Sequence, residues 1–138
     1  CTAFKGEGLW EGLLQDNPGM GAWLVGGDFN VVTKAHEKRG RKPFNPSEAV
    51  EFLQFLGETN LLDVGLFGAH YTWWNNRHGP VRIWKRLDRV LVNEACYDLG
   101  LLFSVSHLAR EPFDHAPLLI SVTTRLDNKP HPFRFLNL

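Results

Sequence analysis

The sequence predicts a mixed α/β domain, on three observations: an apolar run bracketed by glycines, a helix with a full start signal, and a series of short strand-like segments in the second half. Ala22-Trp23-Leu24-Val25 lies between Gly21 and Gly26-Gly27, which fits a strand buried on both faces better than a half-exposed one. Asn45-Pro46-Ser47-Glu48 opens a helix: Asn45 as N-cap, Pro46 in the first turn where no amide is needed, and Glu48 reaching back as in a capping box. That helix is expected to run to Leu56, with Ala49, Phe52, Leu53 and Leu56 as its apolar face and Gly57 as its C-terminal cap. Tyr71 to Trp74, Leu87 to Val92, Phe103 to His107 and Leu118 to Val122 are the strand-like segments, with a short helix beginning at Asn93.

The connecting segments follow from the same rules. Glu7 to Asp16 sets Leu9, Trp10, Leu13 and Leu14 at helical spacing, and Asn17-Pro18-Gly19 stops the helix. Lys34 to Lys42 holds five Lys or Arg and one Glu around Gly40, and reads as a solvated basic loop. Beyond Thr124 the chain turns polar and proline-containing, so residues 1–124 are expected to be the domain and 125–138 a linker.

Composition narrows the function. A chain of 138 residues has room for one domain, not two, and 43% hydrophobic with 22% charged residues excludes disorder, collagen and coiled coil. Fifteen Lys plus Arg balance fifteen Asp plus Glu, so any polyanion site must be a local patch rather than a whole-molecule attraction. Cys1 and Cys96 make neither a disulfide framework nor, with these histidines, a zinc site, and a reducing compartment is expected. No apolar run approaches the roughly 18 residues a membrane span needs, and there is no signal-peptide pattern. Residue 1 is Cys and the sole Met is Met20, so a piece of a longer protein is expected.

Three short stretches can carry chemistry. Asp28 and Asn30 of Gly27-Asp28-Phe29-Asn30 stand two apart where a strand ends and can address one ligand, although alone the stretch reads more readily as a Gly/Asx turn. Asp88 sits among Lys85, Arg86 and Arg89, where surface ion pairing is the plain alternative. Asp114-His115 places a carboxylate beside an imidazole between Pro112 and Pro117, a pair that is often structural. Arg77, His78, Arg82, Lys85, Arg86 and Arg89 interleave with Trp73, Trp74 and Trp84, offering phosphate contacts and stacking surfaces, while one of Trp73 and Trp74 is expected in the core. The remaining histidines, His36, His70, His107 and His131, have no metal-ligand spacing.

Taken in order, Gly-Asp-Phe-Asn, Thr72-Trp73-Trp74-Asn75, Arg86-Leu87-Asp88-Arg89-Val90-Leu91-Val92 and Asp114-His115-Ala116-Pro117-Leu118 resemble the C-terminal portion of the endonuclease/exonuclease/phosphatase superfamily. Within it the chain is most similar to the abasic-endonuclease-like domain of plant non-LTR (LINE-type) retrotransposons, through Thr-Trp-x-Asn, Ile-Trp-x-Arg-Leu-Asp-Arg and the tail Pro132-Phe133-Arg134-Phe135. The likeness runs roughly from Leu9 to the C-terminus. It implies the C-terminal part of a four-layer α/β sandwich, two packed mixed sheets flanked by helices, of which this chain would hold largely one sheet and its helices. It also implies Mg²⁺-dependent phosphodiester hydrolysis on DNA, a monomer, a nuclear setting, and a reverse-transcriptase-like region downstream of the linker.

By the same resemblance Asp28 orients and helps deprotonate the attacking water, Asn30 donates to the scissile phosphate, and His115 is a charged donor to it. Asp88 holds His115, Asp114 lies on the metal side, and Asn75 supports the nucleic-acid cleft, while Arg77, Arg82 and Lys85 are expected nucleic-acid contacts from the basic and aromatic stretch itself. Asp28, Asn30, Asp88, Asp114 and His115 should then converge on one cleft, with Asp88 at hydrogen-bond distance from a ring nitrogen of His115. Two departures are expected to weaken catalysis: the superfamily's metal-binding Glu belongs to an N-terminal half upstream of Cys1, so Mg²⁺ is held weakly, and Phe113 stands where a small hydroxyl residue usually precedes Asp-His. The rival readings are a catalytically decayed remnant that at most binds nucleic acid, and a phosphomonoesterase or lipid phosphodiesterase of the same superfamily.

Overall fold

The computed structural model describes residues 12–68, 71–108 and 114–124. Leu9, Trp10, His70, Phe113, the expected linker and the Pro-Phe-Arg-Phe tail lie outside them. The described chain is mixed α/β. Its strands are β1 (Leu24–Asp28), β2 (Lys38–Arg39), β3 (Leu62–Asp63), β4 (Trp73–Trp74), β5 (Trp84–Lys85), β6 (Asp88–Val92), β7 (Leu101–His107) and β8 (Leu118–Thr124); its helices are α1 (Val50–Thr59) and α2 (Glu94–Asp98), and residues 12–15 are also helical.

Three small antiparallel sheets, ordered β1-β6-β3, β2-β5-β4 and β7-β8, stand where one larger sheet was expected. Several strands are only two residues long, and left-handed residues such as Arg41, Asn60 and Asn76 turn the chain before a ladder can lengthen. β1 is also not buried on both faces: Val25 is buried, but Gly26, Gly27 and Asp28 are exposed. One face of β1 packs on the core while the glycines leave the other open as the wall of a cleft.

Asn45 caps the helix start as expected, its side chain accepting from the Ser47 N–H at 3.2 Å and the Ser47 hydroxyl at 2.9 Å, but Glu48 engages Asn45 through its backbone N–H, at 3.1 Å from the Asn45 carbonyl, rather than through a capping-box side chain. Pro46–Ala49 make one 3₁₀ turn before α1 begins. The far end differs from the expectation. α1 runs past Gly57 to Asn60, whose left-handed backbone (φ 54°) ends it, because Asn tolerates that conformation and Thr59 reinforces the last turn by donating to the Phe55 carbonyl at 2.8 Å. Its buried stripe is Ala49, Phe52 and Phe55, whereas Leu53 is exposed and Leu56 only half-buried. Phe52 and Phe55 join Leu13, Val25, Phe29, Leu61 and Leu91 in the core, with the Phe29 and Phe52 rings 5.4 Å apart.

α2 starts at Asn93 as expected, but the Asn93 side chain works across the fold. It accepts from the Trp23 N–H at 2.9 Å and donates to the Gly21 carbonyl at 2.7 Å, so the chain entering β1 is clamped to the end of β6.

The basic loop is not simply solvated. Ala35–Glu37 form a 3₁₀ turn, and Glu37 is buried, accepting from Arg89 at 2.6 and 3.1 Å, from Arg86 at 3.1 Å and from the Thr33 amide and hydroxyl at 2.8 and 3.0 Å. Asp63 takes the other side of both arginines at 2.8 and 2.9 Å. Two guanidinium groups and two carboxylates thus neutralise one another inside the fold and tie the loop after β1 to β3 and β6. Burial alone would raise the Glu37 pKa, but Arg89 and Thr33 outweigh it and hold the carboxyl at about 2.

Candidate active site

The site is assembled where β1 ends. In the β1–β6 ladder Asp28 stands directly opposite Asp88, two like charges that destabilise a strand pair unless a cation joins them. Thr72, fully buried, fixes the turn into β6 by accepting from the Leu87 and Asp88 amides at 3.0 and 3.1 Å. Those amides donate to the Thr72 hydroxyl; the Thr72 backbone carbonyl separately accepts from the Ala116 N–H at 2.7 Å, and the Trp74 N–H donates to the Asp114 carbonyl at 3.2 Å. Residues 114–116 are thereby stitched alongside β4, with Trp73 and His115 as bridge partners.

That stitching delivers His115 to the two carboxylates. Its Nδ1 lies 2.9 Å from Asp88 Oδ2, and because an ionised carboxylate only accepts, Nδ1 carries the proton. Nε2 lies 3.7 Å from Asp28 Oδ2. Asp28 is in turn held by the Asn30 backbone N–H at 2.8 Å, with Asn30 in the left-handed region at φ 57°. Gly27, Asp88, Asp114, His115 and an apolar wall including Val90 and Ile120 line a cleft of about 490 Å³.

The electrostatics follow from an excess of negative charge. Burial works to lower the His115 pKa, but the hydrogen bond and charge of Asp88, then the charges of Asp28 and Asp114, overcome it and raise the pKa above 6.5. Asp28 is raised above 3.8 first by burial and then by Asp88 and Asp114, against the lowering by the Asn30 amide and His115. The site therefore favours a charged imidazole and a carboxylate with a heightened affinity for a proton.

Asp28, Asp88 and His115 come together, and Asp88, Asp114 and His115 line the cleft, whereas Asp28 and Asn30 stand at the end of β1 beside it rather than in its lining. Asn30 is seen to supply its backbone N–H to Asp28. Asp88 does not pair with the cations beside it, because Arg86 and Arg89 are committed to Glu37 and Asp63. Asn75 staples its own loop, donating to the Val81 carbonyl at 2.8 Å and accepting from the Ile83 N–H at 3.0 Å. Arg77 is exposed, Arg82 lies over the Trp74 and Trp84 rings, and Lys85 lies over Trp73. Neither Trp73 nor Trp74 is a core residue; both are half-buried, with Lys85 of β5 over the Trp73 ring and Arg82 over the Trp74 ring. Sequence reasoning missed Thr72 as a positioning residue and the Glu37–Asp63 clamp. The only signal for either was the Thr of Thr-Trp-x-Asn and two arginines too close to apolar β6 to remain in water. Searched against protein-family models, curated proteins and solved structures, the chain matches none.

Proposed function

We propose that the chain carries the hydrolytic machinery of a Mg²⁺-dependent DNA endonuclease of the retrotransposon type, within the endonuclease/exonuclease/phosphatase superfamily that its motifs resemble. The observation that supports this most is His115 held at 2.9 Å by Asp88 and 3.7 Å from Asp28 at one cleft. On this reading the three small sheets belong to a four-layer sandwich.

The donors fit the ion. Asp28, Asp88 and His115 offer ligand atoms within 4.8 Å of one another, but Asp88 Oδ2 and His115 Nδ1 are spent on each other. Asp114, outside that group but in the same cleft as Asp88 and His115, remains as a hard carboxylate for the ion while Asp28 is left to the water, and Mg²⁺ is commonly held by one or two carboxylates with the rest water. Burial first, then the neighbouring charges of Asp88 and Asp114, raises the Asp28 pKa. When bound, the ion supplies positive charge for the phosphate oxygens.

The residues supply the rest. Asp28 accepts the proton of an attacking water, its raised pKa making it the better base. His115, kept charged by its carboxylate neighbours, donates to an oxygen of the phosphate as negative charge builds there, and Asp88 fixes its tautomer and ring. Thr72 keeps Asp88 in place through the two amides it binds.

The test is nicking of supercoiled plasmid. Mg²⁺-dependent nicking halted by EDTA, and reduced on the order of 100-fold by His115→Ala and by Asp28→Ala, is the expected result. Nicking indifferent to EDTA and to both substitutions overturns the reading, as does the absence of nicking at any Mg²⁺ concentration. A non-catalytic nucleic-acid-binding role is the second reading, favoured by Arg82 lying 5.6 and 5.8 Å from two tryptophan rings, and it predicts binding without nicking.

A further inference from the structure

The β2-β5-β4 sheet has two unlike faces. Lys38 pairs with Lys85 and Lys85 with Trp73, while Trp73 bridges to His115; residues paired across a ladder point the same way, so these four share the face of the catalytic cleft. Arg39 pairs with Trp84 and Trp84 with Trp74, and they share the opposite face.

On that opposite face the Trp74 and Trp84 rings stack at 5.2 Å, and Tyr71 lies 6.2 Å from Trp84. Arg82 lays its guanidinium against both tryptophans and is held there by donating to the Arg77 carbonyl at 3.3 Å and to His78 Nδ1 at 2.9 Å. A groove of about 660 Å³ opens between Arg39, Tyr71, Pro80, Arg82 and Trp84. The two loops that frame it are locked together: Gly40, at φ 97°, sits so close to the Arg82 carbonyl that any Cβ would collide with it.

The charge of this face is one-signed. Residues 38–47 and 64–87 contain no Asp or Glu, although the whole chain is neutral. Among the described residues no carboxylate pairs with Arg39, Arg41, Lys42, Arg77 or Arg82. Cations without counterions beside a shelf of aromatic rings complement a polyanion that also presents flat apolar faces.

We infer that this face is a second binding site, remote from the cleft, for single-stranded nucleic acid. A duplex keeps its base faces stacked inside and offers only phosphates, whereas a single strand offers both phosphates for Arg39, Arg41 and Arg82 and bases for the rings. The inference does not require the chain to be a nuclease.

Short oligothymidylate and oligouridylate, with a duplex of equal length, are the probes, read by quenching of tryptophan fluorescence. Both strands share the required chemistry, and the tighter of the two identifies the source as DNA or RNA. Strand affinity is expected to exceed duplex affinity, to fall steeply with salt, and to drop about tenfold or more in Arg39→Ala and Arg82→Ala. Arg39 is solvent-facing, so its variant keeps the test decisive if Arg82→Ala disturbs its loop. His115→Ala is expected to leave strand affinity unchanged, which separates this site from the cleft. Duplex bound as tightly as strand, affinity unmoved by salt and by Arg39→Ala, or loss of strand binding in His115→Ala would each overturn the inference.

Discussion

Four consecutive residues, Arg86-Leu87-Asp88-Arg89, feed two charge clusters of opposite character. Arg86 and Arg89 close a balanced set with Glu37 and Asp63, in which the Arg89 and Glu37 side chains are 0% and 3% exposed. Asp88 enters an unbalanced set with His115, Asp28 and Asp114, where the His115 and Asp28 side chains are 30% and 36% exposed. Charge that is buried and neutralised holds segments together and resists titration. Both sets shift proton affinities, but the balanced one holds Glu37 and Asp63 ionised, whereas the set with excess negative charge raises His115 and Asp28 toward holding a proton, the direction acid–base chemistry requires.

The contrast is sharpest in stability. Arg89→Ala would leave Glu37 buried without its closest partner and Asp63 half-satisfied, and breaking such a pair typically costs about 3–5 kcal/mol. His115→Ala removes a partner from Asp28 and Asp88, whose side chains are 36% and 14% exposed, and should cost less than Arg89→Ala. Urea denaturation compares the two, and equal losses would erase the distinction between a structural and a functional cluster.

The pH dependence separates them next. Glu37 has its folded pKa lowered from 4.5 to about 2, so its contribution is fully present above 4.5 and is lost as pH falls toward 2. His115 has its pKa raised above 6.5, so its contribution is present below 6.5 and is lost as pH rises through the folded value. Melting temperature against pH should therefore have a shallower acid limb in Glu37→Gln, where Asp63 still titrates low, and a shallower neutral limb in Asp88→Asn. A profile in which each substitution flattens the other limb would reverse the assignments.

The smallest effect tunes one group inside the cleft. Asp28→Asn removes a charge that helps raise the His115 pKa but leaves the closer Asp88 contact, so the imidazole should titrate lower than in the wild type, though by less than in Asp88→Asn. Imidazole proton resonances followed through a pH titration measure this directly. An unchanged midpoint would show that Asp28 does not reach His115 electrostatically.

What could be read from the residues alone was what neighbouring residues decide among themselves. Asn45 capping, the helix start at Asn93, the strands around Val90 and Val105, and the polar turn at Asp28 and Asn30 all rest on contacts within a few positions. The placing of Asp88 beside His115 was also legible, though only because the order of the motifs resembles a known pattern. Local rules failed where competing choices cost nearly the same along the chain. Gly57 and Asn60 can both end α1, and Phe55 and Leu53 can both face inward; packing against Phe29 and Leu91 selected Asn60 and Phe55. Tertiary structure alone decided the partners of charges. Glu37 meets Arg89 across 52 residues and Asp88 meets His115 across 27, and no local preference distinguishes those carboxylates from the exposed ones nearby. Which acid balances a buried arginine and which is left in excess depends on where β6, the loop after β1 and the segment at His115 come to rest, because only desolvation at that meeting point gives the pairing its strength.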